Sequence, residues 1–273
     1  MFDQEAALSD PSAASSPAPA PAAKPALAQA AIVDAAARPN YFRTYLTRTD
    51  DRMLLKLDHY LDVYHDLLRD WQGRDVTFME IGIFKGGSID LWKGFFGPGS
   101  TLVFLDIDPA CQAFAGPGVH VEIGDQADPV FLKSVAEKYG PFDIIVDDGG
   151  HKMDQQATSL RHLWPTVKNR GLYVVEDTHT SYWPGFGGGF RQRGSFIEIA
   201  KDLIDRMHSW YTDQDEIFPL HPAARQVESV KFYDSMVVVE KHLKDPPKTI
   251  SSKNGVVQES RKMLTVRGRK SIF

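Results

Sequence analysis

The chain has 273 residues, a formal net charge of −5 at pH 7 and a hydrophobic fraction of 42%. This composition suits a globular protein with a proper core, and the negative charge argues against nucleic acid as a general partner. A single cysteine, Cys111, excludes an intramolecular disulfide and a cysteine-based zinc site, which is consistent with a reducing, cytoplasmic location. No run of about 18 apolar residues occurs, so no transmembrane segment is expected.

The two ends of the chain differ in composition from its middle. Residues 1–39 are dominated by Ala, Pro and Ser, which predicts a disordered leader or linker. From Lys244 onward, eight Lys and Arg stand against two Asp and Glu, which predicts a basic, flexible tail over residues 244–273. One folded domain, with a helical cap at its N-terminal end, is therefore expected over residues 40–243.

The helical cap is predicted from apolar and aromatic residues that recur at helical spacing between Tyr41 and Trp71. The recurring residues are Leu54, Leu55, Leu57, Tyr60, Leu61, Tyr64, Leu67, Leu68 and Trp71. The pattern predicts one or two helices that cover a sheet or form a lid. Aromatic residues at this spacing are more often core than ligand contacts.

The first predicted strand begins at Val76 and leads into a glycine turn. Gly82 and Gly86 would let the backbone come close to a ligand, and Ser88 is predicted to cap the following helix. The spacing G-x-x-x-G-G, preceded by Glu80, differs from the G-x-G-x-x-G of dinucleotide-binding proteins. It suits a ligand with a cationic amino-acid portion better than a pyrophosphate.

The next two predicted strands also end at acidic residues. Asp106 follows the apolar run 101–105 and is placed to accept hydrogen bonds from ribose hydroxyls. Asp125 follows the strand 119–123, and it either accepts from an adenine amino group or caps the next helix. Three successive strand ends therefore predict a cleft for a nucleoside.

The chain is organised around two acidic pairs that end the following strands. The apolar run 144–146 ends at Asp147 and Asp148, and the run 172–175 ends at Glu176 and Asp177. If these strands are parallel neighbours, four carboxylates meet at one edge of the sheet, with His151 nearby. Such a group favours a cation, and oxygen donors suit Mg²⁺, Mn²⁺ or Ca²⁺. A solvated group of acids at helix N-termini is the alternative interpretation.

Taken together, these motifs resemble those of a known family. The motifs are Glu80-Ile81-Gly82 with Gly86-Gly87-Ser88, Asp147-Asp148-Gly149-Gly150-His151, the run Glu176-Asp177-Thr178-His179-Thr180-Ser181-Tyr182-Trp183, and Phe232-Tyr233-Asp234-Ser235. The region from Tyr41 to Lys241 resembles class I S-adenosylmethionine-dependent methyltransferases, in particular the magnesium-dependent macrolide sugar O-methyltransferases of the mycinamicin and macrocin type. Cephalosporin-hydroxylase-like proteins are similar too. The resemblance implies an α/β, Rossmann-like doubly wound fold, whose mostly parallel seven-stranded sheet has one antiparallel strand near the C-terminus.

The resemblance also implies roles for individual residues. Asp148, Glu176 and Asp177 would hold Mg²⁺ or Mn²⁺, and His151 would be the general base. A further set would bind S-adenosylmethionine: Glu80, Gly82, Gly86, Ser88, Asp106, Asp125 and Asp147. Gly150 departs from the family, whose members often have Ser there, and this leaves the hydrogen bonding of the turn open.

The implied reaction is methylation of a hydroxyl on a sugar or a glycosylated small molecule in natural product or glycan biosynthesis. The ion would acidify the hydroxyl while His151, together with Asp148, completes the catalytic site. His179 either contacts substrate, acts as a second proton acceptor, or orders its loop. Tyr182 and Trp183 precede a glycine-rich segment, residues 184–195, which is either a lid whose aromatics stack on the sugar or a flexible crossover.

Two other functions stay open at this point. An NAD-dependent oxidoreductase would use a similar sheet, but its G-x-G-x-x-G spacing is missing. A non-catalytic module that binds a glycan or a partner would keep the fold without turnover, which the retained acids and His151 argue against. A homo-oligomer is possible, since a neighbouring chain could complete the site.

Overall fold

The structure is a computed structural model that describes residues 39–48 and 52–260. The predicted disordered leader, apart from Pro39, lies outside the described residues, as does the part of the predicted tail beyond residue 260. The predictions for these two segments therefore stay predictions. Among the described residues, no helix has the length and apolar character needed to cross a membrane.

Seven strands form one sheet, in the spatial order β3-β2-β1-β4-β5-β7-β6. The strands are β1 Thr77–Ile81, β2 Thr101–Asp106, β3 Val119–Ile123, β4 Phe142–Asp147, β5 Val167–Val175, β6 Val227–Tyr233 and β7 Met236–Lys241. Strands β1 to β5 run parallel, whereas β7 is antiparallel to both of its neighbours. The predicted fold, including its antiparallel strand near the C-terminus, is confirmed. The strand order reverses between β1 and β4, which opens a crevice at the carboxyl ends of these strands.

Helices cover both faces of the sheet. They are α1 Tyr41–Tyr45, α2 Tyr60–Leu68, α3 Gly87–Phe95, α4 Pro129–Tyr139, α5 Met153–Leu163, α6 Phe196–Met207 and α7 Pro222–Gln226. Helices α1 to α3 pack on the face that carries Phe78 and Val146, and α4 to α6 pack on the face that carries Met79 and Ile145. Because side chains alternate along a strand, successive residues contribute to different cores.

Two local predictions were wrong. Leu54, Leu55 and Leu57 do not continue a helix but lie in a segment that is neither helix nor strand, residues 52–59, which we call the strap. Ser88 does not cap α3, because the N-cap is Gly86, whose φ of 80° lies in the left-handed region that favours glycine. The chain therefore reaches α2 through an irregular segment rather than through a helix.

A small hairpin follows the main sheet within the segment that was predicted to be a basic, flexible tail. Strand β8, Thr249–Lys253, pairs antiparallel with β9, Val256–Ser260. The connecting residues Asn254 and Gly255 both have positive φ, as in a type I′ turn, for which Asn-Gly is a strong sequence signal. The hairpin was not among the predicted elements, and the flexibility of the tail stays a prediction.

Candidate active site

A cavity of about 390 Å³ lies at the carboxyl ends of β1 to β4. Three of the residues predicted to bind a nucleoside ligand, Gly82, Asp106 and Asp125, line this cavity together with Asp148. The cavity is where a doubly wound sheet binds its ligand, at the reversal of strand order. Other lining residues, among them Lys85 and Gln126, were not predicted, because they stand beside the glycines and acids of the strand ends and not at a motif position themselves.

Asp106 shapes the cavity by holding the glycine turn after β1. One of its carboxylate oxygens accepts hydrogen bonds from the backbone N–H groups of Ile83, at 2.8 Å, and Phe84, at 3.1 Å. The other oxygen accepts from the N–H of Asp108 at 2.9 Å. Since each carboxylate oxygen has two lone pairs, Asp106 keeps acceptor capacity for a ligand while it fixes the turn.

Gly82 is required where the first and fourth strands end side by side. Its φ is 101°, and a Cβ there would lie 2.1 Å from the backbone oxygen of Asp148. No side chain fits this space without moving the turn that follows β4. The absence of a side chain at Gly82 therefore lets the end of β1, which lines the cavity, pack directly against the turn that carries Asp148.

Four residues that were predicted to bind the cofactor do not line the cavity: Glu80, Gly86, Ser88 and Asp147. Asp147 is fully buried, and it accepts a hydrogen bond from Gln126 Nε2 at 3.0 Å. Burial raises its pKa to about 6. Because Asp147 and Asp148 are adjacent in the chain, the alternation of β4 turns Asp147 toward the α5 side and away from the cavity.

The acids at the ends of β1, β4 and β5 surround a lysine that the sequence analysis missed. The ammonium of Lys56, on the strap, lies 2.7 Å from an oxygen of Asp148, 2.7 Å from Glu176 and 3.3 Å from Glu80. The side chain of Lys56 is only 4% exposed. Burial lowers its pKa, but the three carboxylates outweigh burial and hold the pKa well above its ordinary value. We call Glu80, Asp148 and Glu176 the inner group.

Burial dominates the electrostatics of the inner group. It raises the pKa of Glu80 and of Glu176, and the nearby charge of Asp148 raises that of Glu176 further, whereas Lys56 opposes both shifts. Tyr64, on α2, donates a hydrogen bond of 2.6 Å to the Glu176 oxygen that also faces Lys56. The inner group is therefore an enclosed set of oxygens that already holds one cation.

A second set of ligand atoms lies nearer to solvent. Oxygens of Asp148 and Asp177 and a ring nitrogen of His151 lie within 4.8 Å of one another, and all three residues are half-buried. His151 Nε2 is 3.5 Å from an Asp177 oxygen, and His151 Nδ1 is buried without a hydrogen-bond partner among the described residues. We call Asp148, His151 and Asp177 the outer group.

The predicted ligands Asp148, Glu176 and Asp177 are neighbours, but they do not form one set. Asp148 belongs to both groups, whereas Glu176 belongs to the inner group and Asp177 to the outer group. Asp177 has a φ of 53°, and its other oxygen accepts a hydrogen bond of 2.9 Å from Tyr60. This conformation turns the Asp177 side chain toward His151, and a non-glycine left-handed residue leaves no clear signal in a sequence.

The remaining predicted residues, His179, Tyr182 and Trp183, lie in and directly after the short helical turn that follows Asp177. His179 Nδ1 and Ser235 Oγ are 2.5 Å apart, and the His179 ring packs edge-on against Trp183 with centroids 4.7 Å apart. Tyr182 and Trp183 are about half exposed, and neither lines the cavity at the ends of β1 to β4. Their exposure suits a contact with a ligand that approaches from solvent.

Comparison with solved structures shows the class of fold. The chain is similar to the MycE methyltransferase from the mycinamycin biosynthetic pathway, solved in complex with Mg and SAH. The TM-score is 0.67 at 32% identity, and the match covers 76% of this chain and 55% of that chain. The Rossmann-like sheet is therefore the methyltransferase fold.

Curated relatives define the resemblance further. The chain is 35% identical over 194 residues to demethylmacrocin O-methyltransferase from Streptomyces fradiae, which covers 67% of this chain and 49% of that relative. It is 34% identical over 198 residues to mycinamicin VI 2''-O-methyltransferase from Micromonospora griseorubida. This match covers 68% of this chain and 49% of that relative. No family model matches. The predicted resemblance to macrolide sugar O-methyltransferases is confirmed, and the chain spans about half the length of the curated relatives it matches.

Proposed function

We propose that this chain transfers a methyl group from S-adenosylmethionine to a hydroxyl of a sugar or glycosylated small molecule, assisted by Mg²⁺ or Mn²⁺. One observation carries the proposal: Asp148 lines the cavity at the strand ends and also belongs to both groups of acidic side chains. A methyl donor in the cavity and a divalent ion at Asp148 would therefore be neighbours. The relatives, which are sugar O-methyltransferases, favour this activity over the NAD-dependent and non-catalytic alternatives.

The cofactor would occupy the cavity formed by the ends of β1 to β4. Gly82 lets the backbone come close to the ligand, Asp106 accepts from the ribose hydroxyls, and Asp125 accepts from the adenine amino group. Asp125 already accepts from the N–H of Ala127 at 2.8 Å, which fixes its side chain at the cavity. Glu80, Gly86 and Ser88 would support the turn from behind rather than contact the ligand.

The donor set fits a hard divalent ion. Asp148, Glu176 and Asp177 would supply carboxylate oxygens, the ligands that Mg²⁺ and Mn²⁺ prefer. Asp148 is central, because its carboxylate is adjacent to each of the others. When bound, the ion lowers the pKa of the acceptor hydroxyl and fixes its direction.

The side chains of the outer group would move the proton. A neutral His151 accepts the proton of the acceptor hydroxyl at Nε2 or Nδ1, and Asp177, 3.5 Å from Nε2, stabilises the imidazolium that forms. Tyr182 and Trp183 would stack on the sugar at the mouth of the site. His179 would order this loop through Ser235 and Trp183.

A cytoplasmic location and a homo-oligomeric state remain predictions.

Methyl transfer should be measured by mass on a panel of glycosylated polyketides with S-adenosylmethionine. The expected result is a gain of one methyl group that requires Mg²⁺ and is lost on chelation. Asp148→Asn should lower turnover on the order of 10³-fold, because ion assistance contributes several kcal/mol to the transition state. The matched control is Asp66→Asn, on the exposed face of α2, which should retain activity. Full activity of the wild-type chain in a chelator would contradict the proposal.

A further inference from the structure

Gln155 lines the cavity at the ends of β1 to β4, but the proposed function gives it no role. It stands in the first turn of α5, the helix that follows the acidic turn after β4, and it is partly buried. Its Oε1 accepts a hydrogen bond of 3.2 Å from the backbone N–H of Lys152, whereas no acceptor for its Nε2 occurs among the described residues. The wall of the cavity therefore carries an amide donor that is available to a ligand.

The glycine next to this amide is explained by the space that the amide needs. Gly150 does not have a positive φ, so its backbone conformation does not require glycine. A Cβ at this position would instead lie 2.3 Å from Oε1 and 2.7 Å from Nε2 of Gln155. The three atoms nearest to that Cβ all belong to the Gln155 side chain. Glycine at position 150 thus leaves room for the amide at the cavity.

The amide lies at the end of the cavity that the proposed function assigns to the adenine. The backbone N–H of Gly150 donates a hydrogen bond of 2.7 Å to Oε1 of Gln126, a lining residue that directly follows Asp125. Gln126 is itself held in place, because it is buried and its Nε2 donates to Asp147 at 3.0 Å. The turn after β4 is therefore bound to the turn after β3, which brings Gln155 and Asp125 to the same end of the cavity.

The two side chains at this end have the opposite polarities that an adenine ring needs. Adenine has an amino group that donates hydrogen bonds, and the ring nitrogens N1 and N7 on either side of it accept them. The carboxylate of Asp125 can only accept, so it suits the amino group. The Nε2 of Gln155 can only donate, so it suits a ring nitrogen.

We propose that Gln155 is a specificity-determining residue that donates a hydrogen bond from Nε2 to N1 or N7 of the adenine, and that Gly150 keeps the space for this amide. A ligand without that ring nitrogen would leave the donor of Gln155 unpaired at the cavity wall, which weakens binding. This inference rests on the proposed function, because it assumes that S-adenosylmethionine occupies the cavity.

The first test is the affinity for S-adenosylhomocysteine, measured near neutral pH by isothermal titration calorimetry without metal or acceptor. Gln155→Glu keeps an oxygen that accepts from the N–H of Lys152 but offers no donor to the ring, so Kd should rise on the order of 10- to 100-fold. The matched control is Gln72→Glu, an exposed residue before the amino end of β1, which should bind as the wild-type chain does. Equal affinities of Gln155→Glu and the wild-type chain would overturn the inference.

Analogues of S-adenosylhomocysteine identify the ring nitrogen. The wild-type chain should bind either the 1-deaza or the 7-deaza analogue about tenfold or more weakly than the parent compound, and Gln155→Glu should not show this preference. A wild-type chain that binds both analogues as tightly as the parent compound does not recognise either nitrogen, which would also overturn the inference.

Gly150→Ala tests the space beside the amide. Its Cβ would displace the Gln155 side chain, so the affinity should fall about as far as in Gln155→Ala, and the double variant should bind no more weakly than either single variant. Additive losses would show that the two residues do not act as a pair, which would contradict the role of Gly150.

The outcomes separate this inference from the proposed function. If the wild-type chain does not bind S-adenosylhomocysteine, the cofactor site of the proposed function fails. If the wild-type chain and all the variants bind it equally, the role of Gln155 is wrong although the cofactor site stands. Circular dichroism of each variant establishes that it is folded, and Gln155→Met replaces Gln155→Glu if the latter does not fold.

Discussion

The two halves of the candidate site are built in different ways. At the ends of β1 to β3, backbone turns and single acids form a cavity, and the residues that shape it stand at the ends of apolar runs, as Gly82 and Asp106 do. At the ends of β4 and β5, side chains from the strap and α2 complete the acidic groups, as Lys56 and Tyr64 do. A ligand cavity can thus be recognised from the strand ends in the sequence, whereas a balanced group of buried charges depends on side chains that other elements supply.

The comparison predicts that His151 serves the acidic half alone. His151→Ala should lower turnover by about 10²–10⁴-fold, because it removes the proton acceptor, and it should leave the affinity for S-adenosylmethionine unchanged. Initial rates and isothermal titration calorimetry with the cofactor measure the two effects. A loss of cofactor affinity with little change in turnover would show that His151 has a structural role. The acidic half of the site would then not be functionally separate from the cavity.

Gly82 should show the opposite pattern, since it lies at the junction with the cavity. Gly82→Ala places a Cβ 2.1 Å from the backbone oxygen of Asp148 at a φ of 101°. Gly73→Ala is a matched control, because Gly73 has a φ of 75° but nothing within 4 Å of the added atom. The positive φ alone should cost about 1–2 kcal/mol in either variant, and the clash about 1–3 kcal/mol more in Gly82→Ala.

Urea unfolding and cofactor titration measure this smaller effect. The affinity of Gly82→Ala for S-adenosylmethionine should fall at least about tenfold, because the displaced turn after β4 would weaken binding. A tenfold loss corresponds to only about 1.4 kcal/mol of binding free energy. Gly73→Ala should bind the cofactor as the wild-type chain does. Equal unfolding free energies for the two variants would mean that the close approach of β1 and β4 is not part of the native structure.

The difference between the halves also explains what the sequence could predict. The strand ends and their acids follow from apolar runs closed by Asp, Glu and Gly, so Gly82, Asp106, Asp125 and Asp148 were found. The alternation of side chains along β4 could have shown that Asp147 and Asp148 face opposite sides, but it was not applied to this pair. That rule is local, and it needs no knowledge of the fold.

The role of Lys56 could not be predicted in this way. It stands between leucines in a segment whose spacing indicated a helix, and its three partners are 24, 92 and 120 residues away in the chain. The spacing of Tyr60 and Tyr64 correctly predicted a helix that packs on the core. It did not predict that their hydroxyls donate hydrogen bonds to Asp177 and Glu176. Long-range pairing of buried charges is set by tertiary structure, which single-sequence patterns do not encode.

In the proposed enzyme, a methyl donor in the cavity and a divalent ion at Asp148 are neighbours. The most direct measurement is the NMR linewidth of S-adenosylmethionine labelled with ¹³C in its methyl group, bound to the protein, as Mn²⁺ is added. We expect strong paramagnetic broadening with the wild-type chain and with Asp66→Asn, and none with Asp148→Asn. An unchanged linewidth with the wild-type chain, when both ligands are shown to be bound, would contradict it.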